Sequence, residues 1–191
     1  MPKGIDAKPI KRGPQRESHS CRRRVLFVCT GNSCRSQIAE AWARALFGDL
    51  LEPHSAGVVR HGLDPNAIAV MAEAGIDISA QRSKTIDELP HMDFDHVVTL
   101  SDRGRAGAAL FWAPTATIHA GFRAPRLGKR TRDAGEGLVS YRDVRDMIRS
   151  LVESIGHSLS HARDVGAGAT DASTTIARLT AVSKSTRFPR Q

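Results

Sequence analysis

The stretch RVLFVCTGNSCRS, residues 24–36, leaves this chain few folds to choose from. Val25 to Val28 are four consecutive apolar residues, and only a strand buried on both faces asks for that pattern. Gly31 and Asn32 follow at once, residue types that tolerate a left-handed backbone in a tight turn. From Ser36 the pattern changes to a helical period, with Ile38, Ala41, Trp42, Ala45 and Leu46 on one face and Gly48 as the stop. A buried strand, a short loop and a helix in immediate succession form half of a βαβ unit, which predicts an α/β domain built on a parallel sheet.

The rest of the middle repeats the theme. LLEPHSAG (residues 50–57) reads as a weaker strand, DHVVTLS (95–101) as a buried one and TATIHAGF (115–122) as another weak one. Between them DPNAIAVMAEAGIDIS (64–79) predicts a helix capped by Asp64, with Pro65 in its first turn and Gly75 at its end. Residues 137–157 predict a long amphipathic helix with Leu138, Val144, Ile148, Leu151, Val152 and Ile155 on its apolar face.

Charge separates the ends from the middle. The formal net charge is +8, yet residues 1–24 hold eight Lys or Arg against two acids, and residues 158–191 hold five against two. The stretch between them is therefore close to neutral, which argues against a nucleic-acid-binding body. The expected organisation is a basic disordered tail over 1–23, a domain over 24–157 and a loosely ordered basic tail over 158–191, with a weak helix at Thr174–Val182. The first 24 residues lack the apolar run of a signal peptide, and no segment has the apolar length of a membrane span. The three cysteines are Cys21, Cys29 and Cys34, which is no secreted disulfide framework. A cytoplasmic protein with reduced thiols is expected.

The loop itself carries the chemistry. In open α/β sheets ligands bind beyond the carboxyl ends of the strands. A loop that leaves a strand and enters a helix turns its N–H groups toward a common centre, where the helix N-terminus adds partial positive charge. Thr30, Gly31, Asn32, Ser33, Cys34 and Arg35 are thus the candidate cradle for a tetrahedral oxyanion, with Arg35 supplying a planar two-point fork. Cys29 is the candidate nucleophile. A helix N-terminus and an arginine together lower a thiol's pKa from ~8.5 to ~3.5–7.5, and the thiolate is the reactive form. Ser36 is placed to donate to the sulfur. Taken alone, a cysteine ending an apolar strand is more often a buried small hydrophobe, and Cys34 is as well explained by filling the turn as by redox chemistry. The combination, with each residue meeting a separate need of one mechanism, is what points to catalysis. The histidines at 54, 61, 91, 96 and 119 form no metal-ligand spacing, and no metal is expected.

VLFVCTGNSCRSQIAEAWAR resembles the Cys-x5-Arg-Ser loop of the low-molecular-weight protein tyrosine phosphatases, and within that superfamily it is most similar to the arsenate reductases. Residues 54–89, FDHVVTLSD (94–102) and YRDVRDMI (141–148) continue the likeness, which spans about residues 24–157 and neither tail. The resemblance implies a four-stranded parallel sheet with helices on both faces. It implies that Cys29 attacks phosphate or arsenate while Asn32, Arg35 and Ser36 shape the loop, with no bound cofactor. A reductase of this kind needs a thiol as co-substrate, glutathione or thioredoxin, and its other partner is a small oxyanion or phosphomonoester.

Two departures from the family pattern matter. Ser101 stands where those reductases carry a resolving cysteine, and the following stretch holds no thiol. Ala124 stands where the family has an aspartate before a proline as general acid, in a loop made basic by Arg123, Arg126, Lys129, Arg130 and Arg132. Expelling a tyrosine phenolate, of pKa near 10, needs a proton, and a positioned acid is worth ~10²–10⁴ in rate. Arsenate is less demanding, because its departing oxygen can already carry a proton. Arsenate reduction with Cys34 or an external thiol as resolver is therefore the first expectation; Cys21 is a weaker resolver. A phosphatase with Asp102, Asp133 or Glu136 as substitute acid is the second, and a phosphate-binding module without turnover is the third.

Overall fold

The computed structural model describes residues 22–90, 93–111, 116–125 and 138–164. Four strands, β1 (Arg23–Cys29), β2 (Leu51–Gly57), β3 (His96–Thr99) and β4 (Ala116–His119), form one sheet in the order β2-β1-β3-β4, parallel throughout. Four helices are α1 (Arg35–Phe47), α2 (Pro65–Glu73), α3 (Asp102–Phe111) and α4 (Val139–Asp164).

Alternation along β1 explains its unbroken apolar run. Val25, Phe27 and Cys29 enter the larger core with α1, α2 and α4, whereas Leu26 and Val28 enter a second cluster with Ile86, Leu89, Phe94 and Ala108 of α3. Central strands covered on both faces have no side for water. β2 is an edge strand, which is why it tolerates Pro53 opposite Val25. The strand order reverses between β1 and β3, so the crevice beyond their carboxyl ends is the place for a ligand.

The predicted boundaries hold for α1 and α2. Asp64 Oδ1 accepts from the Asn66 N–H at 2.9 Å, and Pro65 opens α2. Gly75, at φ +78, closes it: its N–H reaches Ala72 O at 2.9 Å and the Ile76 N–H reaches Met71 O at 3.0 Å. That pair of bonds satisfies carbonyls a helix end would leave bare. Two elements depart from expectation. The helix expected to end near His157 runs on to Asp164, with Leu159 buried, so residues 158–164 belong to the folded body rather than to a tail. The helix α3 was not expected at all, because DRGRAGAALF contains two glycines and no clear period. Those glycines are what let it form where it does. A Cβ on Gly104 would lie 3.0 Å from Val28 O and 3.1 Å from Cys29 Cα, and one on Gly107 would lie 2.6 Å from Val58. Low helix propensity is accepted in exchange for close seating on β1.

Among the described residues, no helix is long and apolar enough to cross a membrane. Cys21, His91, Asp133, Glu136, the expected helix at Thr174–Val182 and most of the basic loop after Pro125 lie outside the described residues.

Candidate active site

The loop between β1 and α1 stands at the carboxyl edge of the sheet with its carbonyls turned outward. Cys29 O accepts from the Val58 N–H (3.3 Å), Thr30 O from Val59 (3.0 Å), Gly31 O from His61 (3.1 Å) and Ser33 O from Asp64 (2.9 Å). The Ser83 hydroxyl donates to Gly31 O at 3.1 Å, and Gln37 Nε2 donates to Asn32 O at 3.0 Å. With its carbonyls held by this outer shell, the loop backbone is fixed around Cys29.

Asn32 is the keystone. Its backbone is left-handed, φ +46, the one non-glycine case among the described residues, and its side chain is fully buried. Nδ2 donates to Ser36 Oγ and to Ser55 Oγ, each at 2.9 Å. Oδ1 accepts from the Lys84 N–H at 2.7 Å and from Gln37 Nε2 at 3.0 Å. Every hydrogen-bonding position of the amide is used, which fixes its orientation. Ser36 Oγ, which accepts from Asn32, lies 2.9 Å from Cys29 Sγ, within reach to donate to a thiolate there. Behind Asn32, the Ser55 hydroxyl donates to Glu40 Oε2 at 2.5 Å. Glu40 is buried and is compensated by Arg44 Nη2 at 2.7 Å and Lys84 Nζ at 3.8 Å. A continuous relay therefore runs from the Glu40 carboxylate through Ser55, Asn32 and Ser36 to the Cys29 sulfur.

Cys29 is 2% exposed at the floor of the cradle, and Thr30 and Ser33 are half-buried above it. Arg35 opens α1 and turns its Nη1 to Phe122 O at 2.7 Å and Leu100 O at 3.4 Å, which ties α1 to the segments after β3 and β4. Cys34, the residue before α1, is buried, and its thiol is pushed up to about 12, chiefly by burial and then by the Asp64 carboxylate and Cys29, with Arg35 opposing. Cys29 and Cys34 are free thiols. Ser101 lies beside the loop, 3.2 Å from Thr30 Oγ1. Ala124 is exposed and offers no acid.

Sequence reasoning reached residues 29–36 and missed the shell that shapes them: Gln37, Glu40, Ser55, His61, Ser83 and Lys84. Gln37 and Glu40 carry a weak signal, since polar residues one and four positions after Ser36 interrupt an otherwise apolar face. His61 lies over Gly31 so closely that a Cβ there would meet His61 Nδ1 at 2.5 Å. Nothing in the sequence spacing announces that contact. Among the described residues, no group of three or more His, Cys, Asp or Glu could hold a metal ion.

The chain is similar to known proteins in sequence and in fold. The sequence model of the low molecular weight phosphotyrosine protein phosphatase family matches residues 24–120. The chain is 41% identical to the arsenate reductase of Bacillus subtilis over 134 residues, 70% of this chain and 95% of that protein. It is 38% identical over the same shares to the arsenate reductase of Halalkalibacterium halodurans. Among solved structures, an arsenate reductase in its phosphate-binding state superposes with TM-score 0.61 at 31% identity, covering 72% of this chain and 98% of that one. A low molecular weight protein tyrosine phosphatase from T. tengcongensis gives TM-score 0.53 at 28% identity, covering 69% and 95%. With the strand order, the loop and these likenesses agreeing, the chain belongs to the low molecular weight phosphotyrosine protein phosphatase family of cysteine-based enzymes.

Proposed function

We propose that this protein is an arsenate reductase in which Cys29 is the nucleophile. The observation that carries the reading is the Cys29 sulfur held 2.9 Å from the Ser36 hydroxyl, which Asn32 in turn holds at 2.9 Å, in a loop whose carbonyls are bonded to the surrounding shell. The arsenate reductases at 38–41% identity favour arsenate over a phosphoester, and so does the alanine at position 124.

In the first step the Cys29 thiolate attacks arsenic in HAsO₄²⁻. A sulfur–arsenic bond forms, an arsenic–oxygen bond breaks, and the departing oxygen leaves as water after taking one proton. Loop N–H groups of residues 30–35 and the helix α1 terminus offset the charge on the arsenate oxygens. With Nη1 of Arg35 committed to two carbonyls, its Nε–Nη2 edge is the one that faces oxygens of the substrate. Ser36 steadies the thiolate before attack and the sulfur as a leaving group afterwards.

In the second step a thiol attacks the Cys29 sulfur. The sulfur–arsenic bond pair passes to arsenic, which falls from As(V) to As(III), and a disulfide forms on Cys29. A Cys34 thiol raised to about 12 is thiolate in only about one molecule in 10⁵ at pH 7. With its proton held and the Asp64 carboxylate nearby, Cys34 is a poor attacker, and Ser101 has no thiol. Cys21, the weaker internal resolver, lies outside the described residues, and the resolving thiol is taken to be external, a small thiol such as glutathione or a thioredoxin-type protein, which fits a reducing cytoplasmic setting.

Arsenite production by the purified chain, with and without each thiol donor and beside an aryl phosphate assay, tests this directly. Arsenite that forms only with added thiol, persists in Cys34→Ser and vanishes in Cys29→Ser is the expected result. Multiple turnovers of arsenate without any added thiol would overturn the external-resolver scheme. Aryl phosphate turnover without arsenite would move the enzyme to phosphomonoester hydrolysis.

A further inference from the structure

The sulfur and the loop beside it are held by different parts of the molecule. The relay from Glu40 through Ser55, Asn32 and Ser36 ends at the Cys29 sulfur. Asp64 is not a member of that relay and holds the next part of the loop, its backbone N–H donating to Ser33 O at 2.9 Å. The same residue caps α2: Oδ1 accepts from the Asn66 N–H at 2.9 Å, and its carbonyl accepts from the Ile68 N–H at 3.1 Å. Its other carboxylate oxygen, Oδ2, accepts from the Tyr141 hydroxyl at 2.8 Å. One residue therefore joins the loop, the start of α2 and the start of α4.

Tyr141 stands in the first turn of α4 and is 5% exposed. A phenol buried so deeply brings its hydroxyl to a partner, and an ionised acceptor makes the stronger bond. The neighbourhood extends to Cys34. Burial and then the Asp64 carboxylate raise the Cys34 thiol, while burial, the bond to Asp64 and finally the charge of Cys34 raise the Tyr141 phenol. Farther along α2, Arg142 Nε and Nη2 donate to Glu73 at 2.8 and 2.7 Å, and Arg145 Nη1 donates to Val70 O at 2.9 Å. With α4 anchored there, the Tyr141 hydroxyl has a fixed origin, and Asp64 passes that position to Ser33. Removing the hydroxyl would leave Oδ2 of this half-buried carboxylate without its donor, free to turn beside a loop whose task is to hold an anion.

We propose that Tyr141 is a positioning residue of the oxyanion loop: through Asp64 it sets where Ser33 and Cys34 stand, and thereby how tightly the loop holds its anion. The relay through Asn32 sets the reactivity of Cys29 separately. The inference deepens the reading of the Cys29 loop as an oxyanion site and rests on it. Two anchors then give two separable readouts. Loss of the Tyr141 bond weakens phosphate binding and raises KM for arsenate. It leaves the attack of the sulfur on a neutral electrophile, and the pH at which that attack begins, as they were. A phenol that only stabilised the fold would move both or neither.

The test uses the full chain, inorganic phosphate as the probe, and alkylation of Cys29 by iodoacetamide followed by mass spectrometry. Wild type, Tyr141→Phe, Asp64→Ala, the double variant and Glu73→Ala are compared, with thermal unfolding to verify that each is folded. Glu73→Ala loosens the same two helices at the end away from Ser33. Tyr141→Phe should raise the phosphate concentration for half-protection, and KM for arsenate, by about 5–20-fold, the reach of coupling through packed networks. Its alkylation rate without phosphate, and the pH midpoint of that rate, should match wild type. Glu73→Ala should leave protection unchanged, and Tyr141→Phe should add nothing in the Asp64→Ala background. A shift below about 3-fold in Tyr141→Phe, an equal shift in Glu73→Ala, or the full Tyr141→Phe shift persisting without the Asp64 carboxylate would overturn the proposal. So would an unprotected alkylation rate that changes as much as the protection does. If phosphate fails to protect Cys29 in wild type, the oxyanion reading falls first, and this inference with it.

Discussion

Replacing Asn32 separates two contributions that the loop combines. The side chain is fully buried, donates to Ser36 and Ser55, and accepts from the Lys84 N–H and from Gln37. In Asn32→Gly the backbone keeps its conformation at φ +46, but the Lys84 N–H loses its acceptor and two serine hydroxyls lose a donor. A buried donor left without a partner costs about 1–3 kcal/mol, and each other lost bond about 0.5–1.5 kcal/mol. The glycine variant should therefore lose about 2–6 kcal/mol, a large share of the ~5–15 kcal/mol typical of a folded domain. Asn32→Ala removes the same bonds and also places a Cβ in the left-handed region, for about 1 kcal/mol more. This inverts the usual order, in which alanine is the more stable of the two. Urea unfolding of the two variants and wild type, followed by circular dichroism, gives the three free energies, and both variants should lose turnover because Ser36 is no longer oriented. If Asn32→Ala proves as stable as Asn32→Gly, the left-handed loop is refuted. If Asn32→Gly loses less than 1 kcal/mol, the network contributes little and the relay to Cys29 has no energetic basis.

Gly104→Ala should perturb the site through Ser101 and the strand beneath it, since its Cβ would also stand 3.0 Å from Ser101 Oγ. Its Cβ would press on Val28 O and the Cys29 backbone, so a loss of about 1–3 kcal/mol in thermal unfolding is expected, together with a fall in arsenite formation; an unchanged melting temperature would refute the close seating of α3. Stability should also fall at acid pH through His96. Burial, and then Arg23, hold this ring below the usual histidine value, and its ring nitrogens have no hydrogen-bond partner among the described residues. The unfolded chain therefore takes up a proton first. The contribution is intact above the ordinary value of about 6.5 and is lost as the pH falls toward the folded one. His96→Phe should flatten that slope in urea unfolding, and an unaltered slope would count against it. At the alkaline end Cys34, raised to about 12 from 9.0, keeps its contribution below pH 9 and loses it above, by about 1.4 kcal/mol per pH unit. Tyr141, also raised to about 12, begins from 10.0, so the interval between pH 9 and 10 isolates the thiol; Cys34→Ala should remove the slope there.

Much of this protein follows from order along the chain. A four-residue apolar run predicts a doubly covered strand, and Val25 to Val28 are fully buried between two clusters. Asp64, Pro65 and Gly75 mark both ends of α2, because caps are local chemistry. The eight residues from Cys29 to Ser36 place the candidate nucleophile, cradle and hydroxyl in one loop, since a strand, a turn and a helix start need nothing distant to be recognised. What lay beyond the sequence has a common cause: contacts that cross the sheet have no fixed spacing. Ser55 on β2 and Lys84 after α2 meet Asn32 across 23 and 52 positions, and no local period encodes either meeting. The helix α3 escaped notice because its glycines answer to a neighbouring strand rather than to helix propensity. Cys34 looks equally like a filler or a redox partner in the sequence, and the structure adds that its thiol is buried and pushed up to about 12, chiefly by that burial. His119 and Asp102 lie 17 positions apart, yet parallel pairing of β3 with β4 sets Thr99 beside His119 and so brings the ring to the start of α3. The sequence by itself determined the strand, the loop and the kind of chemistry, because these are short-range steric and hydrogen-bonding requirements. Only the tertiary structure decided which distant groups orient the loop and what surrounds each thiol, because those depend on how the strands are ordered and what covers them.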